Sequence, residues 1–295
     1  MLFSFFGKIS GIKIRWSFLL FLILAVIVVW YIVWQETPRG ILEVYFLSVG
    51  QGDAILIKGP TGGKILLDAG PGDSVIGELS KVLPFYDRTI DLLIVSHPDL
   101  DHIGGFPSVM ERFLIGALVD PGIEVETTAW QRLTEILNQE SIKRIIARRG
   151  MKIYLGQAEL DILFPDRDVS DVNPNDGSIV ARLNYGETNY LFMGDASEKI
   201  EKYLIFLDGK NLKADVLKVG HHGSKTGTAI EFASLVSPRY AIIQAGLDNR
   251  YGHPHEEVIS TLKKIKAEIL ETAKLGTINI ASDGWQVNCL NCSGL

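Results

Sequence analysis

Residues 96–105 read Ser-His-Pro-Asp-Leu-Asp-His-Ile-Gly-Gly, which puts four metal-competent side chains, His97, Asp99, Asp101 and His102, within six positions. They follow a short apolar run, 91–95, of the kind that forms a buried strand. This narrows the folds open to the chain, because a strand must end at an accessible edge and release imidazoles and carboxylates into a glycine-ended loop. Imidazole nitrogen with carboxylate oxygen suits zinc, manganese or iron, whereas calcium and magnesium favour oxygen-only cages. The competing reading is a polar loop whose His and Asp side chains cap the next helix. Four such groups in so short a stretch favour the metal.

The same design recurs along the chain. An apolar strand at 64–68 ends in Asp68, and one at 190–193 is followed by Gly194 and Asp195. A run at 214–219 leads into Gly220-His221-His222-Gly223-Ser224, and one at 240–244 precedes Gly252-His253-Pro254-His255. All six histidines therefore lie in Gly- or Pro-flanked segments just beyond an expected strand. Further strands are expected at 43–49, 54–58, 152–155, 159–164, 178–185 and near Ile278 and Val287. Helices are expected at 74–83, after Gly104, and at 127–140, 198–207, 229–236 and 256–266. Helices spread among about a dozen strands predict a single α/β domain of sheet packed on sheet with helices outside.

The apolar excess is concentrated at the start. Residues 17–34 contain no charge, and as a helix they would rise about 27 Å, close to the roughly 30 Å of a bilayer core. Lys8, Lys13 and Arg15 precede this run, which predicts a basic cytoplasmic N-terminus at 1–16, a single-pass anchor at 17–34, a linker at 35–41 and an exported domain at 42–295. The run is long and ends in aromatic residues without a small-x-small site, which argues against a cleavable signal peptide. Four of the 29 basic and one of the 35 acidic side chains lie in the first 40 residues, so the remainder carries a net charge of −9. Such a surface has no sequence-wide attraction for polyanions. A nucleic-acid substrate would need local cations, with Lys218, Lys225, Arg239 and Arg250 beside the site. Cys289 and Cys292 form a lone Cys-x-x-Cys, open to a local disulfide, an attachment point or two free thiols.

His97-x-Asp99-x-Asp101-His102 resembles the His-x-His-x-Asp-His signature of the metallo-β-lactamase fold superfamily, with aspartate in place of the second histidine. Within it, 49–54 (Val-Gly-Gln-Gly-Asp-Ala), 96–105, 175–178 (Asn-Asp-Gly-Ser), 220–225 (Gly-His-His-Gly-Ser-Lys) and 249–254 (Asn-Arg-Tyr-Gly-His-Pro) resemble the hydrolase domain of ComEC-type DNA-uptake proteins. The resemblance implies an αββα sandwich with one or two divalent transition metals, zinc or manganese, at its edge. It implies His97 and Asp99 on one metal, Asp101 and His102 on the other, Asp195 between them, and His253 as a further ligand. Asp101, His221 and His222 are its catalytic candidates, with one of the two histidines a ligand or general acid. Asp68 would fix the imidazole tautomers; Gln51, Asp53, Asn175, Asp176, Ser224 and Lys225 would support the loops or contact substrate. The superfamily's usual histidine between the signature and the bridging aspartate is missing, since none occurs from Ile103 to Gly220. Asp176 is the oxygen ligand nearest that place. The implied activity is a membrane-anchored phosphodiesterase acting on DNA, with a separate channel protein as partner. A hydrolase of a small ester, lactone or nucleotide, and a degenerate membrane-tethered binding domain, are the alternatives.

Overall fold

The computed structural model describes residues 16–31 and 40–292, and the chain divides into two units, Met1–Arg39 and Gly40–Leu295. In the first unit, residues 16–31 form one helix, α1, whose apolar side chains, Trp16, Phe21 and Trp30 among them, are exposed. Among the described residues no helix is long and apolar enough to cross a membrane, which corrects the expected single-pass anchor at 17–34 and the exported placement drawn from it. Residues 1–15 of the expected basic N-terminus, 32–34 of the expected span and 35–39 of the linker lie outside the described residues.

The second unit begins with six strands of one sheet: β1 (Leu42–Phe46), β2 (Ala54–Lys58), β3 (Lys64–Ala69), β4 (Thr89–Ile94), β5 (Leu114–Asp120) and β6 (Lys143–Ile146). The next seven build a second sheet: β7 (Lys152–Leu155), β8 (Ala158–Phe164), β9 (Val180–Tyr185), β10 (Thr188–Phe192), β11 (Val216–Lys218), β12 (Tyr240–Ile243) and β13 (Glu268–Glu271). The chain then returns to the first sheet with β14 (Ile278–Ser282) and β15 (Val287–Cys289). The strand orders are β15-β14-β1-β2-β3-β4-β5-β6 and β13-β12-β11-β10-β9-β8-β7.

Side chains alternate across a strand, and the sequence exploits this period of two. Leu42, Val44 and Phe46 of β1, Ile55 and Ile57 of β2, and Leu160 and Ile162 of β8 meet Tyr190 and Phe192 of β10 between the sheets. The intervening Leu56 and Leu66 face outward and are covered by α2 (Ser74–Val82), α4 (Phe106–Met110) and α5 (Thr128–Gln139) through Val75, Leu79, Phe106, Trp130 and Leu133. The second sheet is covered in the same way by α6 (Glu198–Asp208), α7 (Ile230–Val236) and α8 (Glu256–Lys264), through Leu204, Phe232, Val236 and Leu262. The result is the expected αββα sandwich.

Three strands were not expected from the sequence. In β5 the pattern is interrupted by Gly116, where an added Cβ would meet the Asp91 carbonyl oxygen of β4 at 2.5 Å. Both β6 and β13 are short, charged and at sheet edges, where charge discourages further pairing. The strands β3, β4, β5 and β6 run parallel, as do β10, β11, β12 and β13. Ligand sites in α/β sheets form beyond the carboxyl ends of parallel strands. Asp68, His97, Asp195, His221 and Gln244 all lie at or just past such ends.

Candidate metal centre

The first sheet contributes one half of the site. At the end of β3, Asp68 takes a left-handed conformation (φ 56°) that turns its carboxylate back into the fold. There it accepts hydrogen bonds from the Ser96 amide at 2.8 Å and the Ser96 hydroxyl at 2.6 Å, and faces Nδ1 of His102 at 2.8 Å. The end of β4 presents His97, and a one-turn helix, α3 (Leu100–Ile103), lifts Asp101 and His102 beside it. This helix begins inside the motif rather than after Gly104. Asp99 occupies its N-cap position but makes no side-chain capping bond, so the helix-cap reading of the motif does not account for it.

The second sheet supplies the other half. Beyond β10, Gly194 leads to Asp195; beyond β11, His221 (φ 48°) and His222 (φ 54°) are consecutive left-handed residues. That backbone costs about 1–3 kcal/mol per non-glycine residue and persists only where the surroundings hold it. The two halves are tied at this edge. The Ile179 amide donates to Ser96 O at 2.8 Å, and the Gln244 carboxamide donates to Leu47 O at 3.0 Å and Ala54 O at 2.9 Å.

Four imidazoles converge on Asp195. Its Oδ1 lies 3.4 Å from Nε2 of His102, and its Oδ2 lies 3.6 Å from Nε2 of both His221 and His222 and 3.8 Å from Nε2 of His97. Each ring is held through its other nitrogen. His97 Nδ1 faces Ser96 Oγ at 3.0 Å, His102 Nδ1 faces Asp68, His221 Nδ1 faces Thr226 Oγ1 at 3.0 Å, and His222 Nδ1 donates to Gln244 O at 2.9 Å. Asp99 reaches His97 Nε2 at 3.7 Å, and Asp101 reaches His222 Nε2 at 3.4 Å.

These carboxylates and imidazoles perturb one another strongly. Burial opposes charge on Asp195, but His222, His102 and His97 outweigh it and hold its carboxyl well below the usual range. Burial likewise opposes charge on His102 and His222. Asp195 and Asp68 nevertheless hold His102 well above its ordinary value, and Asp195 with Asp53 pushes His222 up to about 9. The pocket is one that favours a positive charge at its centre.

The donor set fits a divalent transition metal. Nε2 of His97, His102 and His222 and Oδ1 of Asp195 are buried and have no hydrogen-bond partner among the described residues, a costly arrangement unless a cation takes their lone pairs. Asp53, His102, Asp195 and His222 each offer a ligand atom, all within 4.8 Å of one another. Asp53 is the least free of the four. It makes a buried ion pair with Lys218 and faces Nδ1 of His222 at 3.2 Å, the side turned away from Asp195. Its geometry is that of a group that orients His222.

The remaining candidates are placed around this centre. His253 stands beside it, with its ring centroid 5.5 Å from that of His221 and 6.2 Å from that of His222, and burial next to those rings pushes its pKa down to about 4. His255 occupies the N-cap position of α8 without a side-chain capping bond and accepts the Lys225 amide at 3.2 Å. Asn175 and Asp176 form a single 3-10 turn, and the Asp176 oxygens face Ser197 at 2.5 Å and Lys199 at 3.5 Å. Ser224 is buried, and its hydroxyl accepts from Thr226 at 3.1 Å. Gln51 accepts the Gly246 amide at 3.2 Å. The four basic residues do not gather. Lys218 is buried with Asp53, Lys225 lines a small pocket with Glu198 and Glu257, Arg239 donates to Val287 O, and Arg250 alone shares a cleft with Asp101. Sequence reasoning assigned no role to Ser96, Gln244 or Thr226, and none to Lys218 as a buried partner. A lysine inside the apolar run 216–219 was the available signal. Cys289 and Cys292 are joined as a disulfide.

Residues 47–246 match the family model described as the metallo-beta-lactamase superfamily. The chain is 31% identical over 253 residues to ComE operon protein 3 of Bacillus subtilis, covering 80% of this chain and 32% of that protein. It is 27% identical over 248 residues to Competence protein ComA of Neisseria gonorrhoeae, covering 83% of this chain and 33% of that one. The chain thus spans about a third of the length of these relatives. Among solved structures, the metallo-beta-lactamase fold protein YhfI from Bacillus subtilis superposes with a TM-score of 0.53 at 13% identity, over 78% of this chain and 96% of that one.

Proposed function

This chain belongs to the metallo-beta-lactamase superfamily, and on that premise we propose that it is a metal-dependent phosphodiesterase acting on DNA strands. The fold is that of a metallohydrolase with a candidate metal-binding group. The observation that carries the finer reading is the convergence of four imidazole Nε2 atoms on Asp195. His97 and Asp99 would hold one ion, Asp101, His102 and His222 a second, and Asp195 both. His221, from the doubled histidine, would supply the imidazole that the segment from Ile103 to Gly220 lacks. That restores nitrogen to the first position, so the donor set is as suited to zinc as to manganese. Divalent metals, when bound, supply an activated water and charge stabilisation at a phosphoryl oxygen.

The protein's own part is positional. Ser96, Asp68, Thr226 and Gln244 hold the Nδ1 atoms and so aim the Nε2 lone pairs inward, as outer partners of metal-binding histidines do. Burial of His97, His102 and His222 keeps bulk water from these atoms. The side chain of His221 is a quarter exposed and stands at the mouth, where substrate would enter. The DNA preference draws on the relatives named for competence.

The net charge of −9 beyond residue 40 and the scattered basic residues favour a second reading, a hydrolase of a small ester, lactone or nucleotide. A screen of the purified chain with Mn²⁺ or Zn²⁺ separates the two. Single- and double-stranded DNA, bis(4-nitrophenyl) phosphate and a lactone serve as substrates. Turnover of DNA that disappears in His97→Ala/Asp101→Ala is the expected result. Turnover of DNA that survives this double substitution, or of the lactone alone, would overturn the proposal.

A further inference from the structure

A cleft of about 410 Å³ opens directly beside Asp101, lined by Gln51, Pro71, Leu100, Arg250 and Tyr251. This size is within the range of small-ligand pockets. Three features give it a definite chemistry. The Gln51 carboxamide is oriented by the Gly246 amide on its oxygen, which leaves Nε2 buried with no hydrogen-bond partner among the described residues. The exposed guanidinium of Arg250 lies 4.9 Å from the Tyr251 ring centroid and donates through one nitrogen to the Tyr251 hydroxyl at 2.7 Å. Tyr251 is backed by the His253 ring (centroids 5.6 Å, planes at 22°), and Tyr251 and Leu100, which both line the cleft, are exposed. An unsatisfied amide donor and a cation suit a phosphate, and an aromatic face with an apolar shelf suits a nucleobase.

We propose that this cleft is a nucleotide subsite for a single strand, in which Arg250 and the Gln51 carboxamide hold the phosphate next to the scissile one and Tyr251 with Leu100 carries its base. The proposal deepens the phosphodiesterase reading and rests on it for the meaning of the scissile phosphate, but binding can be measured without turnover. The experiment is fluorescence anisotropy of a labelled eight-residue oligothymidylate on the full chain in EDTA, across a salt series. Each phosphate contact contributes about 0.7 to the slope of log K against log salt for single strands. Arg250→Gln is expected to weaken binding several-fold and to lower that slope by about 0.7. Tyr251→Ala is expected to weaken it about tenfold with the slope unchanged, as loss of stacking does. Arg239→Gln, just before the start of β12 and bonded to Val287 O, is the unaffected control.

A wild type that does not bind the strand, or Arg250 and Tyr251 variants that bind as it does, would overturn the subsite. Hydrolysis of bis(4-nitrophenyl) phosphate by the metal-loaded chain keeps the two readings apart, because this substrate has no base to stack. No turnover alongside the expected binding pattern removes the phosphodiesterase and leaves the subsite. Turnover with silent variants does the reverse.

Discussion

The ammonium group of Lys218 is buried against the carboxylate of Asp53, and each side chain is only 1% exposed. The same carboxylate lies 3.2 Å from Nδ1 of His222, so the ion pair sits directly behind one of the rings that converge on Asp195. Removing one partner of a buried pair leaves the other charge uncompensated. Lys218→Met is expected to cost about 3–5 kcal/mol in urea denaturation of the metal-free chain, and the double variant Lys218→Met/Asp53→Leu to recover most of it. Single and double variants of equal stability would mean that the two groups are not coupled.

Asp68 touches the converging rings at one remove, facing Nδ1 of His102 directly and accepting from the Ser96 hydroxyl that faces Nδ1 of His97. Asn in its place keeps the shape but offers one acceptor oxygen where the carboxylate offers two. Asp68→Asn is expected to lower metal affinity about 10- to 100-fold, measured by chelator competition, while circular dichroism stays that of the wild type. Unchanged affinity would detach Asp68 from the site.

Gly52 (φ 135°) passes so close to the motif that an added Cβ would stand 2.2 Å from the Asp101 carbonyl oxygen. Gly52→Ala must therefore push α3 and Asp101 outward. The thermal-shift gain on adding Mn²⁺ or Zn²⁺, about 2.7 kcal/mol for a wild type at 100 times Kd, is expected to fall by at least half. Gly72→Ala, where an added Cβ meets nothing within 4 Å, should keep the full gain.

Glu201 of α6 is fully buried and clamps the loop after the paired histidines, accepting the Thr228 and Ala229 amides at 2.5 and 2.9 Å. Burial pushes its pKa up to about 7, against the pull of those two amides. Between about pH 4.5 and 7 the folded chain then holds a proton that the unfolded chain has released, so this group's contribution to stability falls as pH rises. The total across that window is about 3 kcal/mol. The stability difference between wild type and Glu201→Gln, followed from pH 5 to 8, should shrink by that order. A flat difference would show that Glu201 does not titrate in that window.

What the sequence made legible was chemistry that sits next to its own strand. The 96–105 motif, Asp68 and Asp195 each follow an apolar run, and all three meet at one edge. The aim of the rings was not legible. It depends on left-handed backbone at Asp68, His221 and His222, which non-glycine residues do not announce. Lys218 and Gln244 were hidden for a related reason: their partners, Asp53 and the carbonyls of Leu47 and Ala54, are more than 150 residues away in the chain. Asp176 looked available as an oxygen ligand because Ser197 and Lys199, which its oxygens face, come from the start of α6. The apolar run at 17–34 reads as a membrane span by composition alone, and among the described residues no helix is long and apolar enough to cross a membrane.

The side chains that build this edge are divided between the sheets. Asp68, His97, Asp99, Asp101 and His102 precede β5, whereas Asp195, His221 and His222 follow β10. A backbone cut in the connection between β6 and β7 would leave neither fragment with more than two of the four converging imidazoles, and only the second would keep the shared carboxylate. That second fragment would also carry β14 and β15, which pair with β1 in the first. Ion retention therefore requires both pieces to fold together, and a split chain would report its own reassembly through the metal it holds.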